Sequence, residues 1–184
     1  MTGDSAVDYS VNMPIDGTID ETDLRILGLV QDHARTSNAE IARQVGLAPS
    51  ATLERLRKLE SRGLIQGYSA RLAPRPLGYG LLAFVFVRSD ERIREGATGH
   101  QLAAFPEVQE VHHIAGEDCY LVKVRAADPE HLGKLLREGF GAVPTVRSTR
   151  TTIVLETLKE DTRLPLPAPA NPPMSLAPAS LEAV

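Results

Sequence analysis

Between residues 19 and 65 apolar side chains recur at helical spacing, whereas residues 80–157 alternate strand-like and helical stretches. The first pattern predicts three helices with legible ends. Asp20 is set to cap the first, with Asp23 three residues on and Ile19 placed to staple onto Leu24; Leu24, Leu27 and Val30 form its inward stripe. Ser37 and Glu40 carry the S-x-x-E spacing of a capping box, so the second helix opens there, turns Ile41, Ala42 and Val45 inward and stops at Gly46. Pro49 suits the first turn of the third, which buries Leu53, Leu56 and Leu59 and ends at Gly63. LIQGYSARL (64–72) then reads as a strand or small hairpin, the wing of a winged helix. Two short helices separated by a tight break form a helix-turn-helix, whose second helix fits the DNA major groove.

The second pattern has the order βαββαβ. LLAFVFV (81–87), VQEVHHI (108–114), CYLVKVR (119–125) and VRSTRTTIVLET (146–157) read as strands, with GED (116–118) as a turn. Helical patterns lie at about 93–105 and 129–140, the first interrupted by Gly96 and Gly99. The fold class is therefore α+β: an N-terminal winged helix-turn-helix and a C-terminal ferredoxin-like βαββαβ domain. Two helices cover only one face of such a sheet, yet residues 81–87 are apolar on both faces. The uncovered face calls for a second copy, and a two-fold homodimer also presents two recognition helices to a pseudo-palindromic site. The expected organisation is a disordered arm (1–18), a DNA-binding domain (19–73), a linker PRPLGYG (74–80), a second domain (81–164) and a disordered Pro/Ala-rich tail (165–184).

Composition changes this picture in two places. Aromatic residues make up only 4% of the 184 and Trp is absent, so aliphatic side chains must build both cores. The net charge of −4 excludes a uniformly basic nucleic-acid coat. Basic character is local instead: residues 37–76 hold Arg43, Arg55, Arg57, Lys58, Arg62, Arg71 and Arg75 against Glu40, Glu54 and Glu60. A lone cysteine, Cys119, excludes an internal disulfide and fits a reducing compartment. With no run long enough to span a bilayer and no signal-peptide pattern at the start, the expected location is the cytoplasm and no membrane partner is expected.

These features together resemble the Lrp/AsnC family of transcription regulators, also called feast/famine regulatory proteins. The resemblance runs from about Ile19 to Leu166 and rests on IDETDLRIL, RTSNAEIA, VGLAPSATLERLRKLESRGLI, GYSARL, PEVQEVHHIAGEDCYL and VRSTRTTIVL. It implies a regulator whose second domain binds a small effector, usually an amino acid, and assembles dimers into larger rings, often octamers. This chain departs from the family pattern twice. Ala48 stands where a capping serine is usual, and the turn written G-x-x-D in the family is Gly116-Glu117-Asp118-Cys119 here.

The leucine stripe of helix three leaves Ser50, Ala51, Glu54, Arg55, Arg57 and Lys58 on or beside its outer face, as candidates for DNA contact. Arg55 matches the near-constant arginine of the family, which makes it the candidate for a guanine, while Lys58 suits a phosphate. Ser37 and Asn38 open helix two, where N–H groups meet a phosphate or simply cap the helix. For the effector, the resemblance points to Gly116, Glu117, Asp118, Cys119 and Tyr120. Glu117 or Asp118 would take the ammonium of an amino acid, Thr149 and Thr151 would donate to its carboxylate, and Tyr120 would line the side-chain end.

No cofactor or metal is expected. His112 and His113 are adjacent on a strand and point to opposite faces, so they cannot chelate one ion. Cys119 has no base placed beside it by the sequence. Two alternatives stand beside an effector-responsive regulator. One is a low-specificity architectural DNA-binding protein whose second domain only oligomerises. The other is an enzyme like the sirohaem decarboxylases, which share this architecture and use histidines in the second domain; here no paired acid–base constellation supports it.

Overall fold

Asp20 does what its position asks. Its side chain accepts from the Asp23 N–H and Asp23 reaches back to the Asp20 N–H, so a complete capping box opens helix α1 (Glu21–Asp32). The structure, a computed structural model, describes residues 19–90 and 96–167. The expected arm (1–18), the beginning of the helix expected at 93–105 and nearly all of the 165–184 tail lie outside the described residues. The chain divides into two units, residues up to Ala70 together with those from Asp161 onward, and Arg71–Glu160.

In the first unit, α2 (Asn38–Val45) and α3 (Pro49–Ser61) follow α1. Gly46 adopts φ 72°, the left-handed conformation that ends α2 and starts the turn. Ala48 caps α3 without a side-chain bond, as its lack of a hydroxyl dictates. At the far end Leu64 N–H donates to Leu59 O and Gly63 N–H to Glu60 O, the two bonds of a Schellman ending. The capping box expected at Ser37 is only half formed. Ser37 accepts from the Glu40 N–H, but the Glu40 carboxylate turns away to Arg43 and Gln44. Arg43 beside it holds the Glu40 carboxyl at about 2.

Two buried positions, Ile26 and Thr52, differ from the expected stripes. Ile26, wholly buried, is the centre of α1, while Leu24, Leu27 and Val30 are half-buried around it. On α3 the inward row is Thr52, Leu56 and Leu59, and Leu53 is 39% exposed. Thr52 tolerates burial because its hydroxyl donates to Ala48 O within the helix, leaving its methyl for the core. Ile26, Ile41, Val45, Leu56 and Leu59 form that core. The expected wing is absent as a strand: residues 64–72 run irregularly, with Tyr68 Oη donating to Glu60.

A strap from the far end of the chain completes this unit. Gln31 on α1 accepts from Leu164 N–H at 2.8 Å and donates to Leu164 O at 2.9 Å, so one side-chain amide pairs one backbone residue twice. Arg163 meets Asp32, and Leu166 packs where a Cβ on Gly28 would stand 3.8 Å away. The arginine matters because α1 ends in Asp32 with no basic residue in its last turn, an unfavourable charge at the negative end of a helix dipole.

The second unit is the expected βαββαβ fold. Strands β1 (Leu81–Ser89), β2 (Val108–His113), β3 (Tyr120–Ala126) and β4 (Val146–Ile153) form an antiparallel sheet of order β2-β3-β1-β4. Helix α4 (Ala97–Ala103) follows β1, and α5 (Pro129–Lys134) continues through a π turn (Leu135–Gly139) and a 3-10 turn (Phe140–Ala142). Alternation sorts the strands cleanly. Ala83, Val85, Val87, Tyr120, Val122, Val124 and Ala126 meet Leu102, Leu132, Leu135 and Phe140 in one core. Tyr120 lies so tight against α4 that a Cβ on Gly99 would stand 2.9 Å from its ring. Leu82, Phe84, Phe86 and Leu121 alternate with these core residues on the opposite face.

Candidate nucleic-acid interface and effector turn

The outer face of α3 is set by what lies beneath it. With Thr52, Leu56 and Leu59 inward, Ser50, Ala51, Glu54, Arg57 and Lys58 are all exposed. Lys58 pairs with Glu54 at 2.9 Å, one turn apart on that face, and the exposed Arg57 stands beside them. Arg55 behaves differently. Its Nη1 donates to Asp20 Oδ2 and to Asp23 Oδ1, each at 2.7 Å, tying α3 to the capping box of α1. The Asp23 N–H and then the Arg55 guanidinium hold the Asp20 carboxyl below its ordinary value of 3.8. The arginine expected to reach a guanine is thus engaged inside the domain, because Asp23 is 8% exposed and needs a cation.

Asn38 is likewise turned inward. Its Nδ2 donates to Pro49 O at 2.8 Å, bracing the turn, and its Oδ1 is buried without a hydrogen-bond partner among the described residues. Ser37 Oγ serves as a cap. Both residues do structural work at the mouth of α2.

The turn between β2 and β3 carries two acids, and each meets an arginine. Glu117 accepts from Arg88 at 3.2 Å and Asp118 accepts from Arg150 at 3.1 Å. Arg150 also lies over the Phe86 ring, 4.0 Å from its centre. Gly116 takes φ 142°, which suits a residue without Cβ. Cys119 is half-buried, with its thiol against the Ser89 backbone.

The other expected effector residues fall elsewhere. Tyr120 is 5% exposed and belongs to the core under α4, so it does not line an open pocket at the turn. Thr149 lies opposite Val87 and Thr151 opposite Val85, on the helix-covered side of the edge strand, whereas Arg150 between them lies opposite Phe86 on the other side. The acids of the turn therefore meet Arg88 and Arg150 and not the two threonines. Strand parity carries that signal, since residues 149 and 151 cannot share a face with 150.

A winged-helix unit built for a major groove, joined to a βαββαβ unit with a charged turn, defines a DNA-binding regulator with a ligand-binding module. Residues 19–66 match the winged helix-turn-helix DNA-binding family and residues 82–164 the Lrp/AsnC ligand binding domain. The leucine-responsive regulatory protein of Escherichia coli (strain K12) is 38% identical over 148 residues, covering 79% of this chain and 90% of that protein, and its Klebsiella pneumoniae counterpart shows the same figures. Among solved structures, a transcriptional regulator from Neisseria meningitidis in complex with L-methionine superposes with a TM-score of 0.74 at 29% identity, covering 80% of this chain and 97% of that one. A feast or famine regulatory protein from M. tuberculosis complexed with L-methionine gives 0.73 at 34% identity, covering 79% and 98%. The chain belongs to the Lrp/AsnC family of DNA-binding transcriptional regulators.

Among the described residues no group of His, Cys, Asp and Glu is arranged to hold a metal, and no helix is long and apolar enough to cross a membrane.

Proposed function

We propose that this protein binds specific sites on double-stranded DNA and that a free amino acid, held at the 116–118 turn, alters that binding. The exposed outer face of α3 carries the proposal. In it Arg57 and Lys58 are the leading base and phosphate contacts, Ser50, Ala51 and Glu54 flank them, and the α2 N-terminus at Ser37 and Asn38 meets the backbone. Arg55 acts on the same helix from behind. Two named structural relatives hold L-methionine, which supports an amino-acid effector for this ligand-binding domain.

The sheet face bearing Phe84, Phe86 and Leu121 supports a homodimer, with higher rings such as octamers built from it. The proposed place of work, the cytoplasm, is where a regulator of this kind meets its DNA. The relatives are named as regulators, which favours this reading over catalysis. Gel-shift titration of DNA upstream of its own gene at fixed salt, with and without each amino acid, tests it. One footprint whose affinity moves at least several-fold with one amino acid supports the reading. A steep salt slope with no sequence preference would replace it with the architectural one.

A further inference from the structure

The centre of the exposed face of α3 is an acid. Glu54 falls in the N-terminal half of the helix, the half that meets base edges in helix-turn-helix proteins. Its neighbours one turn away in either direction are Ser50, Ala51, Arg57 and Lys58, and all four are exposed with it. Lys58 Nζ meets Glu54 Oε1 at 2.9 Å, and this hydrogen bond holds the Glu54 carboxyl below its ordinary value of 4.5. The acid therefore stays ionised near neutrality. A groove walled by phosphates repels such a group, and taking it out of water is costly unless it is paired and hydrogen-bonded. Lys58 supplies the pairing, and an ammonium with three donors has others left for a phosphate. The second carboxylate oxygen is left to accept from the DNA.

Resting on the reading of this protein as a site-specific DNA binder, we propose that Glu54 selects a cytosine in each half-site. In the major groove guanine and thymine present only acceptors, which a carboxylate avoids. Adenine presents its N6 donor beside the N7 acceptor. Cytosine alone presents a donor, its N4 amino group, with no acceptor next to it. Glu54 accepts from that N4, while Lys58 orients the carboxylate, neutralises it and donates to the DNA backbone. Discrimination then works in both directions. A charge-assisted hydrogen bond favours cytosine, and each of the other three bases sets an acceptor against the carboxylate. An acid lowers general affinity for DNA, so what it contributes at the centre of this face is selection.

Selection by the full chain from a pool of randomised duplexes, followed by gel-shift titration of the selected sequences at fixed salt, tests this. The unaltered protein should select cytosine at one position of each half-site and lose roughly tenfold in affinity when another base replaces it. Glu54→Ala should treat all four bases alike at that position and bind non-specific DNA more tightly. Its preferences at the remaining positions should persist, which also reports that the variant folds. Glu54→Gln should move the preference to adenine, because a side-chain amide both accepts from N6 and donates to N7. Such a change of base is a readout that a merely structural role would not give. Cytosine still selected by either variant would overturn the inference, as would a site selected by the unaltered protein without that cytosine; either result leaves site-specific binding in place. If the unaltered protein selects no sequence at all, the reading as a site-specific binder fails, and this inference with it.

Discussion

The Arg55 guanidinium lies 2.7 Å from the Asp23 carboxylate, joining the recognition helix to the first turn of α1. Asp20 shares the same nitrogen at the same distance. A residue that the sequence offers as a DNA contact thereby also braces α3 against α1.

Truncation of that brace should show first as lost stability. Arg55→Ala leaves Asp23 buried without its cation, and the expected cost is about 1–3 kcal/mol in chemical denaturation. Its salt slope for DNA binding should match that of the unaltered protein, because no phosphate contact is removed. Unchanged stability with weakened specific binding would return Arg55 to the list of base contacts. Arg57→Ala is expected to do the opposite, leaving stability within about 0.5 kcal/mol and weakening specific binding by about 1–3 kcal/mol.

Neighbouring leucines on α3 should differ sharply. Leu56, 8% exposed, faces the core, and Leu56→Ala is expected to cost about 2–5 kcal/mol. Leu53, 39% exposed, should cost well under half as much on the same substitution. Equal costs, measured by urea denaturation, would mean that the leucine-only stripe is the true buried face.

The sheet is legible in the sequence because its period is two and its residues are β-branched; alternation in VQEVHHI and CYLVKVR suffices to name the strands and nearly their ends. The buried stripe of α3 is less legible, because Leu53 satisfies a hydrophobic pattern that a threonine with an internal hydrogen bond satisfies better in space. Ile26 escapes the pattern for a similar reason. Leu24, Leu27 and Val30 lie to either side of the buried centre, and their number draws the stripe away from it. At the candidate site the acids of the turn can be found from the sequence, but their partners cannot. Arg88 and Arg150 come from β1 and β4, and only the register of those strands brings them to Glu117 and Asp118.

Substitution at Gly99 should be costly although its backbone is ordinary for a helix. A Cβ there would stand 2.9 Å from the Tyr120 ring, which is enclosed by core. Gly99→Ala is expected to destabilise the second unit by about 1–3 kcal/mol. Pairing it with Tyr120→Leu should recover part of that loss in a double-mutant cycle; strict additivity would show that the ring is not the obstacle.

Glu160 supplies a pH signature. Lys123, and with smaller effect Arg125 and Arg71, hold its carboxyl below its ordinary value of 4.5. A folded-state value below the unfolded one means stability that is present in full above the unfolded value and lost as pH falls through the folded one. For Lys123 burial pulls downward, but hydrogen bonds to Glu160 and Glu110 win and raise it above 10.5. Its contribution is present below that value and lost as pH rises past the folded one. Partial exposure limits the sum to roughly 0.2–1 kcal/mol. Thermal melts of Glu160→Gln and the unaltered protein should therefore differ most near neutrality and converge as pH falls through the carboxylate range; a constant difference throughout would sink the assignment.

Because Gln31 waits for Leu164 and Asp32 for Arg163, the DNA-binding unit is written in two places with the whole sheet unit between them. A ribosome releasing roughly 5–20 residues each second delivers α1 many seconds before the strap it receives. The second unit has time to fold in that interval. The contacts of Gln31 and Asp32 with the strap form only after β4 has been made, so the DNA-binding unit is completed on the schedule of the sheet unit that interrupts it.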